Sequence, residues 1–170
     1  KVPIFCKLES NPAILDNYKG RKIFFNLEGY TKELYEKLGK DSGNLNTGGS
    51  VATGAFAICV EFGFNYIIMI GQDLAYSNGA THAGGVKVDV SNCGSAQETV
   101  EDIYGNSITT RHDWYEYLTW FNDAVEFYKD GDVIDATEGG AKIKNTKIMT
   151  LKDAISEYCT KEFDYKELFD

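Results

Sequence analysis

Two side chains in the middle of the chain are of the types that carry acid–base and ligand-binding chemistry. Asp73 comes just after the apolar run of residues 66–70 (YIIMI), and His82 lies in a glycine-rich loop. A carboxylate in the position of Asp73 can hold a ribose hydroxyl, bind a divalent cation or act as a base, or it can only cap a turn. A loop histidine can act as an acid or base near neutral pH or bind phosphate, or it can be solvated and idle. We therefore predict Asp73 and His82 as the catalytic residues.

A glycine-rich loop at residues 47–50 (TGGS) precedes a long apolar segment. The glycines of such a loop let the backbone approach a ligand, and the amino end of the following helix offers amides to an anion. Gly48, Gly49 and Ser50 are therefore predicted to bind phosphate. The alternative is a plain serine N-cap with a loop before it. The segment is neither a G-K-[ST] phosphate loop nor a G-x-G-x-x-G dinucleotide fingerprint.

The elements that must position these residues follow from the apolar pattern. Short runs at residues 4–6, 23–25, 66–70 and 133–136 predict buried strands. The spacing of apolar residues predicts helices from about residue 31, over residues 50–61, from Trp114 to Tyr128, and from Thr150 onward. Strands that alternate with helices are typical of an α/β fold with a mostly parallel sheet. Residues 99–104 and 107–110 flank Gly105-Asn106 and predict a β-hairpin with a two-residue turn, and residues 86–90 predict an edge strand.

In a parallel sheet, ligands bind at the carboxyl ends of the strands, where the crossover helices begin. Polar segments at residues 47–50, 71–73, 109–112 and 137–140 should meet at that edge. This places Gln72, Thr110 and Glu138 with the phosphate-binding candidates. Arg111 is a further possible phosphate partner, although an ordinary salt bridge would explain it equally well.

Composition excludes several classes of function. The 17 basic and 26 acidic residues give a net charge of −9, so nucleic acid is not expected as a partner. The chain has no apolar run long enough to span a membrane, and no membrane partner is expected. Its four cysteines lack the clustering of a zinc site, so we predict no metal ligands among them and a reducing, cytoplasmic compartment.

Several sequence blocks together resemble the motility accessory factor (Maf) glycosyltransferase-like proteins, which are grouped with the archaeal MptE-like hydroxymethylpterin diphosphokinases. They are GGSVA at residues 48–52, GQDLAY at 71–76, THA at 81–83, YGNSITT at 104–110 and DATEGGA at 135–141. The resemblance spans about residues 4–154. It implies a single Rossmann-like, three-layer α/β domain with a hairpin insertion, similar to bacterial sialyltransferases.

The resemblance implies two related chemistries, and we predict a glycosyltransferase-like domain first and a diphosphokinase as the alternative. Maf proteins attach CMP-activated nonulosonic acids to flagellin, which makes a nucleotide-activated sugar and a flagellin-like acceptor the expected partners. Ser50 would then hold donor phosphate or ribose, Asp73 would lie by the donor, and His82 would lie over the sugar phosphate. The amides of Gly49 and Ser50 would stabilise the charge on the leaving phosphate. The pterin relatives instead transfer a diphosphate from ATP and use Mg²⁺, the one cofactor that this family suggests.

A third reading is a partner-binding domain without catalytic activity. It follows from a departure from the family pattern, because the chain lacks the G-x-G-P-S-like turn that normally precedes this region. It also begins with Lys1 rather than methionine. We therefore expect the 170 residues to be a fragment of a longer protein.

Overall fold

The computed structural model describes residues 2–7, 10–25, 29–40, 43–76 and 97–161. His82, Cys93 and the strand predicted at residues 86–90 lie outside these residues. The chain forms two compact units, Lys1–Asn46 and Thr47–Asp170, and each is described by itself. The single domain expected from the sequence stays a prediction.

The first unit contains a two-stranded parallel sheet and two helices. Strand β1 (Ile4–Cys6) pairs with β2 (Lys22–Phe24), and helices α1 (Pro12–Asn17) and α2 (Gly29–Lys37) follow the two strands. The parallel pairing confirms the prediction. The predicted burial of the two strands is wrong except at Cys6, the one buried residue of β1 and β2. Helix α2 buries none of its residues.

The second unit is built on a parallel sheet of order β3-β6-β7. Helix α3 (Val51–Glu61) leads into β3 (Tyr66–Met69), and helix α4 (His112–Phe127) leads into β6 (Asp132–Asp135). Met69 pairs with Asp135 and Asp135 with Ile148 of β7 (Lys147–Ile148), so β3 and β6 end side by side. Helix α5 (Leu151–Tyr158) follows β7. A mixed α/β fold with small parallel sheets is therefore what the structure shows.

The core of the second unit lies between the sheet and helices α3 and α4. Phe56 of α3 meets Phe121 of α4 edge to face, with ring centroids 5.7 Å apart. Phe121 and Ile143 are each 1% exposed. Helix α3 is buried at Thr53, Gly54 and Phe56, whereas Val51 at its start is 93% exposed. Both ends of the run 66–70 are also exposed, so β3 is buried only at alternate residues.

The predicted hairpin is present with a longer loop than expected. Strand β4 (Gln97–Glu101) pairs antiparallel with β5 (Ser107–Arg111), and Glu101 lies opposite Ser107. Five residues therefore connect the strands, and the two-residue Gly-Asn turn is wrong. The carboxylate of Asp102 explains the difference, because its Oδ1 accepts the amides of Tyr104 and Asn106, each at 2.8 Å, and builds the loop around itself.

In the residues that the structure describes, no helix is long and apolar enough to cross a membrane.

Candidate functional site

The chain that leaves β3 is held by hydrogen bonds from two other segments. The amide of Gln72 donates to Thr137 Oγ1 at 3.1 Å, and the carbonyl of Asp73 accepts the amide of Ala141 at 2.7 Å. The carbonyl of Leu74 accepts the hydroxyl of Thr110 at 2.6 Å. We call the three segments joined in this way, residues 71–76, 109–110 and 135–141, the rim.

The backbone of the rim is strained at two residues that are not glycine. Leu74 has φ +47° and Glu138 has φ +64°, both in the left-handed region that side chains rarely adopt. Such conformations persist where the surroundings enforce them, and they concentrate at functional sites. Thr110 is the enforcing residue for Leu74, because it is fully buried and its hydroxyl is committed to the Leu74 carbonyl. The structure thus gives the predicted nucleotide-binding residue Thr110 a positioning contact inside the protein.

Asp135 at the carboxyl end of β6 is a residue of the rim that the sequence did not mark as a candidate. It is only 1% exposed, and its Oδ1 accepts the amide of Thr137 at 3.1 Å. Its Oδ2 is buried without a hydrogen-bond partner in the described part of the chain. Burial raises the pKa of Asp135 and the nearby charge of Asp73 adds to that rise, while hydrogen bonds from Thr137 oppose it. The signal available in the sequence was a carboxylate directly after the two apolar residues Val133 and Ile134.

Glu138 lies at the start of helix α5 as well as on the rim. Its Oε1 accepts the amide of Leu151 at 2.9 Å, and its backbone carbonyl lies 3.3 Å from the hydroxyl of Tyr104. A carboxylate at a helix amino end is stabilised by the helix dipole. Glu138 therefore has a structural contact in addition to the nucleotide contact predicted for it.

Gly140 lets the rim close tightly. A Cβ on Gly140 would overlap the carbonyl oxygen and Cα of Asp73, and the residue has φ +78°. Only glycine fits both the conformation and the close approach. Asp73 itself is half-buried.

The predicted phosphate loop leads into α3 and is shaped by two glycines. Gly48 (φ +58°) packs on Trp120, whose ring would be 2.6 Å from an added Cβ, and Gly49 has φ +90°. Ser50 is the N-cap. Its Oγ accepts the amide of Thr53 at 3.0 Å, and its own amide donates to Thr53 Oγ1 at 2.9 Å. Ser50 therefore acts as a helix N-cap, as the alternative interpretation proposed. Its hydroxyl and its amide both form hydrogen bonds with Thr53.

The two hydrogen bonds between Ser50 and Thr53 leave other amides at this helix end available to a ligand. The first amides of a helix have no partner within the helix, and here those are the amides of Val51 and Ala52. Val51 is almost fully exposed, and Gly49, two residues before it, is also exposed. An anion can therefore reach the first turn of α3.

Arg111, at the end of β5, forms an ion pair with Asp113 at the protein surface. Its Nε donates to Asp113 Oδ1 at 2.6 Å, and its guanidinium lies 4.5 Å from the centre of the Trp114 ring. The hydrogen bond from Arg111 lowers the pKa of Asp113 below its ordinary value. The salt-bridge explanation offered for Arg111 is therefore the one that the structure supports.

The structure brings Gln72, Asp73, Thr110 and Glu138 together on the rim, as the topology predicted. The loop of Gly48, Gly49 and Ser50 forms the start of α3, where it packs on α4. Within the described ranges, no group of three or more histidine, cysteine or acidic side chains could hold a metal ion.

Comparison with known families adds one match. The model of the family described as 6-hydroxymethylpterin diphosphokinase MptE-like matches residues 1–79, which are 79 of the 170 residues. The amino-terminal segment is therefore similar to this family, and we call residues 1–79 the MptE-like segment. No curated protein and no solved structure gave a significant match. The MptE-like segment contains the loop at residues 48–50 and both Gln72 and Asp73, whereas Thr110 and Glu138 lie beyond it.

Proposed function

We propose that the chain is a nucleotide-dependent transferase domain that binds phosphate at the first turn of α3 and uses Asp73 on the rim to position the reacting group. The observation that carries this proposal is the exposed helix start after Gly48 and Gly49, which lies within the MptE-like segment. Aligned amides at a helix start stabilise the negative charge of phosphate. The net charge of −9 does not prevent this binding, because the attraction is local.

The structure changes the set of amides that we propose to bind phosphate. The amide of Ser50 is taken by Thr53, so it is not available to a ligand in this conformation. The amides of Gly49, Val51 and Ala52 are the donors in our proposal. They would stabilise charge on the phosphate that leaves during transfer, as preorganised dipoles do.

Diphosphate transfer from ATP to a hydroxymethylpterin is the reaction that the family description favours. The acceptor hydroxyl would attack the β-phosphorus of ATP, and AMP would leave. The described residues offer no cluster of three ligands for a resident metal, so Mg²⁺ would arrive with the nucleotide as MgATP. His82 remains the proposed acid or base for the acceptor hydroxyl.

Transfer of a CMP-activated nonulosonic acid to a flagellin-like acceptor is the second candidate. It is supported by the Maf-like blocks GGSVA (residues 48–52) and GQDLAY (residues 71–76). This reaction would use the same amides, because its leaving group, CMP, carries a phosphate as AMP does in diphosphate transfer. For either reaction we propose a Rossmann-like, three-layer arrangement with a sialyltransferase-like hairpin insertion. We also propose a cytoplasmic location, supported by the free thiols of Cys6, Cys59 and Cys159.

A thermal-shift panel on the full chain separates these candidates. MgATP and a hydroxymethylpterin should raise the melting temperature if the chain is a diphosphokinase, whereas CMP should raise it if the chain transfers a sugar. Asp73→Ala and His82→Ala should reduce transfer while the proteins stay folded. Unchanged binding and transfer in both variants would falsify the assignment of these two residues. Stabilisation by none of the ligands would support a partner-binding domain without catalysis.

A further inference from the structure

The carboxyl group of Asp135 has an environment that suits a neutral acid. It is 1% exposed, and its Oδ2 lies in the interior with no hydrogen-bond partner in the described residues. An isolated buried carboxylate is costly, and a proton removes that cost without needing additional space. No described cation compensates it, because Lys147 on the neighbouring strand β7 pairs with Asp132 at 2.7 Å.

The charged group that acts on Asp135 is itself a carboxylate. Asp73, on the segment after β3, acts on Asp135 through its charge. Glu138, three residues after Asp135, directs its carboxylate to the amide of Leu151. Two neighbouring carboxyl groups ionise less readily together than apart, and the more buried one keeps its proton.

Asp135 is connected to the rim through Thr137. The Thr137 amide donates to Asp135 Oδ1, and Thr137 Oγ1 in turn accepts the amide of Gln72. Gln72 is next to Asp73, whose own carbonyl is held by Ala141. Thr137 therefore links the carboxyl group of Asp135 to the backbone that follows β3.

We propose that Asp135 is a positioning residue that holds a proton in the folded protein, and that loss of this proton at higher pH loosens the rim. The neutral acid lets Asp73 approach the end of β6, and it keeps Thr137 and Gln72 in register. Ionisation of Asp135 adds a second negative charge near that of Asp73, which weakens the rim and opposes an anionic ligand. The effect on ligands rests on the proposed function, whereas the effect on folding does not.

Thermal unfolding as a function of pH tests the proton directly. A carboxyl group that binds its proton more tightly in the folded state adds stability below its unfolded pKa, and this stability is lost as pH rises through the folded pKa. The melting temperature of the wild type should therefore fall relative to that of Asp135→Asn, by about 3 °C for each pH unit within that window. Asparagine keeps an acceptor for Thr137 and cannot ionise. Asp132→Asn on the same strand is the control and should keep the wild-type slope.

Two further measurements keep the proposal testable if Asp135→Asn does not fold. The infrared spectrum of the wild type should show a protonated-carboxyl band that disappears as pH rises. Asp73→Asn removes the neighbouring charge and should move that disappearance to lower pH. Absence of the band, or a wild-type slope retained by a folded Asp135→Asn, would overturn the proposal. Titration with MgATP separates the ligand effect, since Asp135→Asn should keep affinity at high pH where the wild type loses it.

Discussion

The carbonyl of Asp73 accepts the amide of Ala141 at 2.7 Å, which joins the end of β3 to the turn after β6. The bond forms between residues 68 positions apart in sequence, because β3 and β6 are parallel neighbours that end at the same level. The close approach depends on Gly140, the residue before Ala141. Backbone contacts therefore hold the candidate site together, and they determine where its side chains lie.

Gly140→Ala should disrupt this approach. The left-handed conformation alone costs an alanine about 1–3 kcal/mol, and the overlap of its Cβ with Asp73 adds to that cost. Chemical denaturation should therefore show a large loss of stability. Gly139→Ala is a matched control, since a Cβ there meets nothing within 4 Å and Gly139 does not have a positive φ. Equal stability of the two variants would contradict the packing described for the rim.

Thr110→Val should leave the carbonyl of Leu74 without its hydrogen bond. A buried polar group without a partner costs about 1–3 kcal/mol, and valine keeps the shape of threonine. The loss should appear as a lower denaturation midpoint. Thr109→Val serves as the control, because Thr109 contacts Tyr76 through its backbone carbonyl. The prediction fails if both substitutions cost the same.

Glu138 allows its structural and binding roles to be separated. Glu138→Ala removes the acceptor of the Leu151 amide and should cost about 1 kcal/mol, as loss of a helix cap does. Glu138→Gln keeps the acceptor and should cost less, about 0.3–1 kcal/mol from the lost charge at the helix start. Nucleotide titration of the folded Gln variant then isolates binding. Unchanged nucleotide affinity in Glu138→Gln would show that Glu138 stabilises the helix and does not bind the nucleotide.

Local patterns in the sequence predicted four of the helices in the described residues, α2 to α5, but missed the short helix α1. Thr150 caps α5 through the amide of Asp153, and the chain turns at Gly63 (φ +69°) after α3. These features depend on residues three or four positions apart, so they are readable in one sequence. The parallel pairing of β3 and β6 and the meeting of residues 71–73 with residues 137–140 followed from the order of elements.

Features that depend on distant partners could not be predicted. The hydroxyl of Thr137 accepts the amide of Gln72, which is 65 positions away in sequence, and no local pattern predicts that contact. The two-residue strand β7 is too short to give a period. Tyr66 and Ile70 were predicted as part of a buried strand but are exposed, because apolar residues alone do not reveal what packs on them.

The central claim, that phosphate is bound by backbone amides at the start of α3, can be tested by removing one amide. Val51 is the first residue of the helix, where proline fits, and Ser50 before it has the extended conformation (φ −114°, ψ 164°) that proline requires of its predecessor. Val51→Pro should therefore fold normally while lacking one donor to the ligand. Val51→Ala keeps the amide and controls for the loss of the side chain.

Calorimetric titration of MgATP into the wild type, Val51→Ala and Val51→Pro is the most direct measurement, with CMP titrated in parallel for the second candidate. A hydrogen bond to a charged group contributes about 1.5–3 kcal/mol, so the bound nucleotide should lose at least about tenfold in affinity in Val51→Pro. Its affinity for Val51→Ala should match the wild type. Equal affinity of that nucleotide for all three proteins would contradict a phosphate site at this helix start.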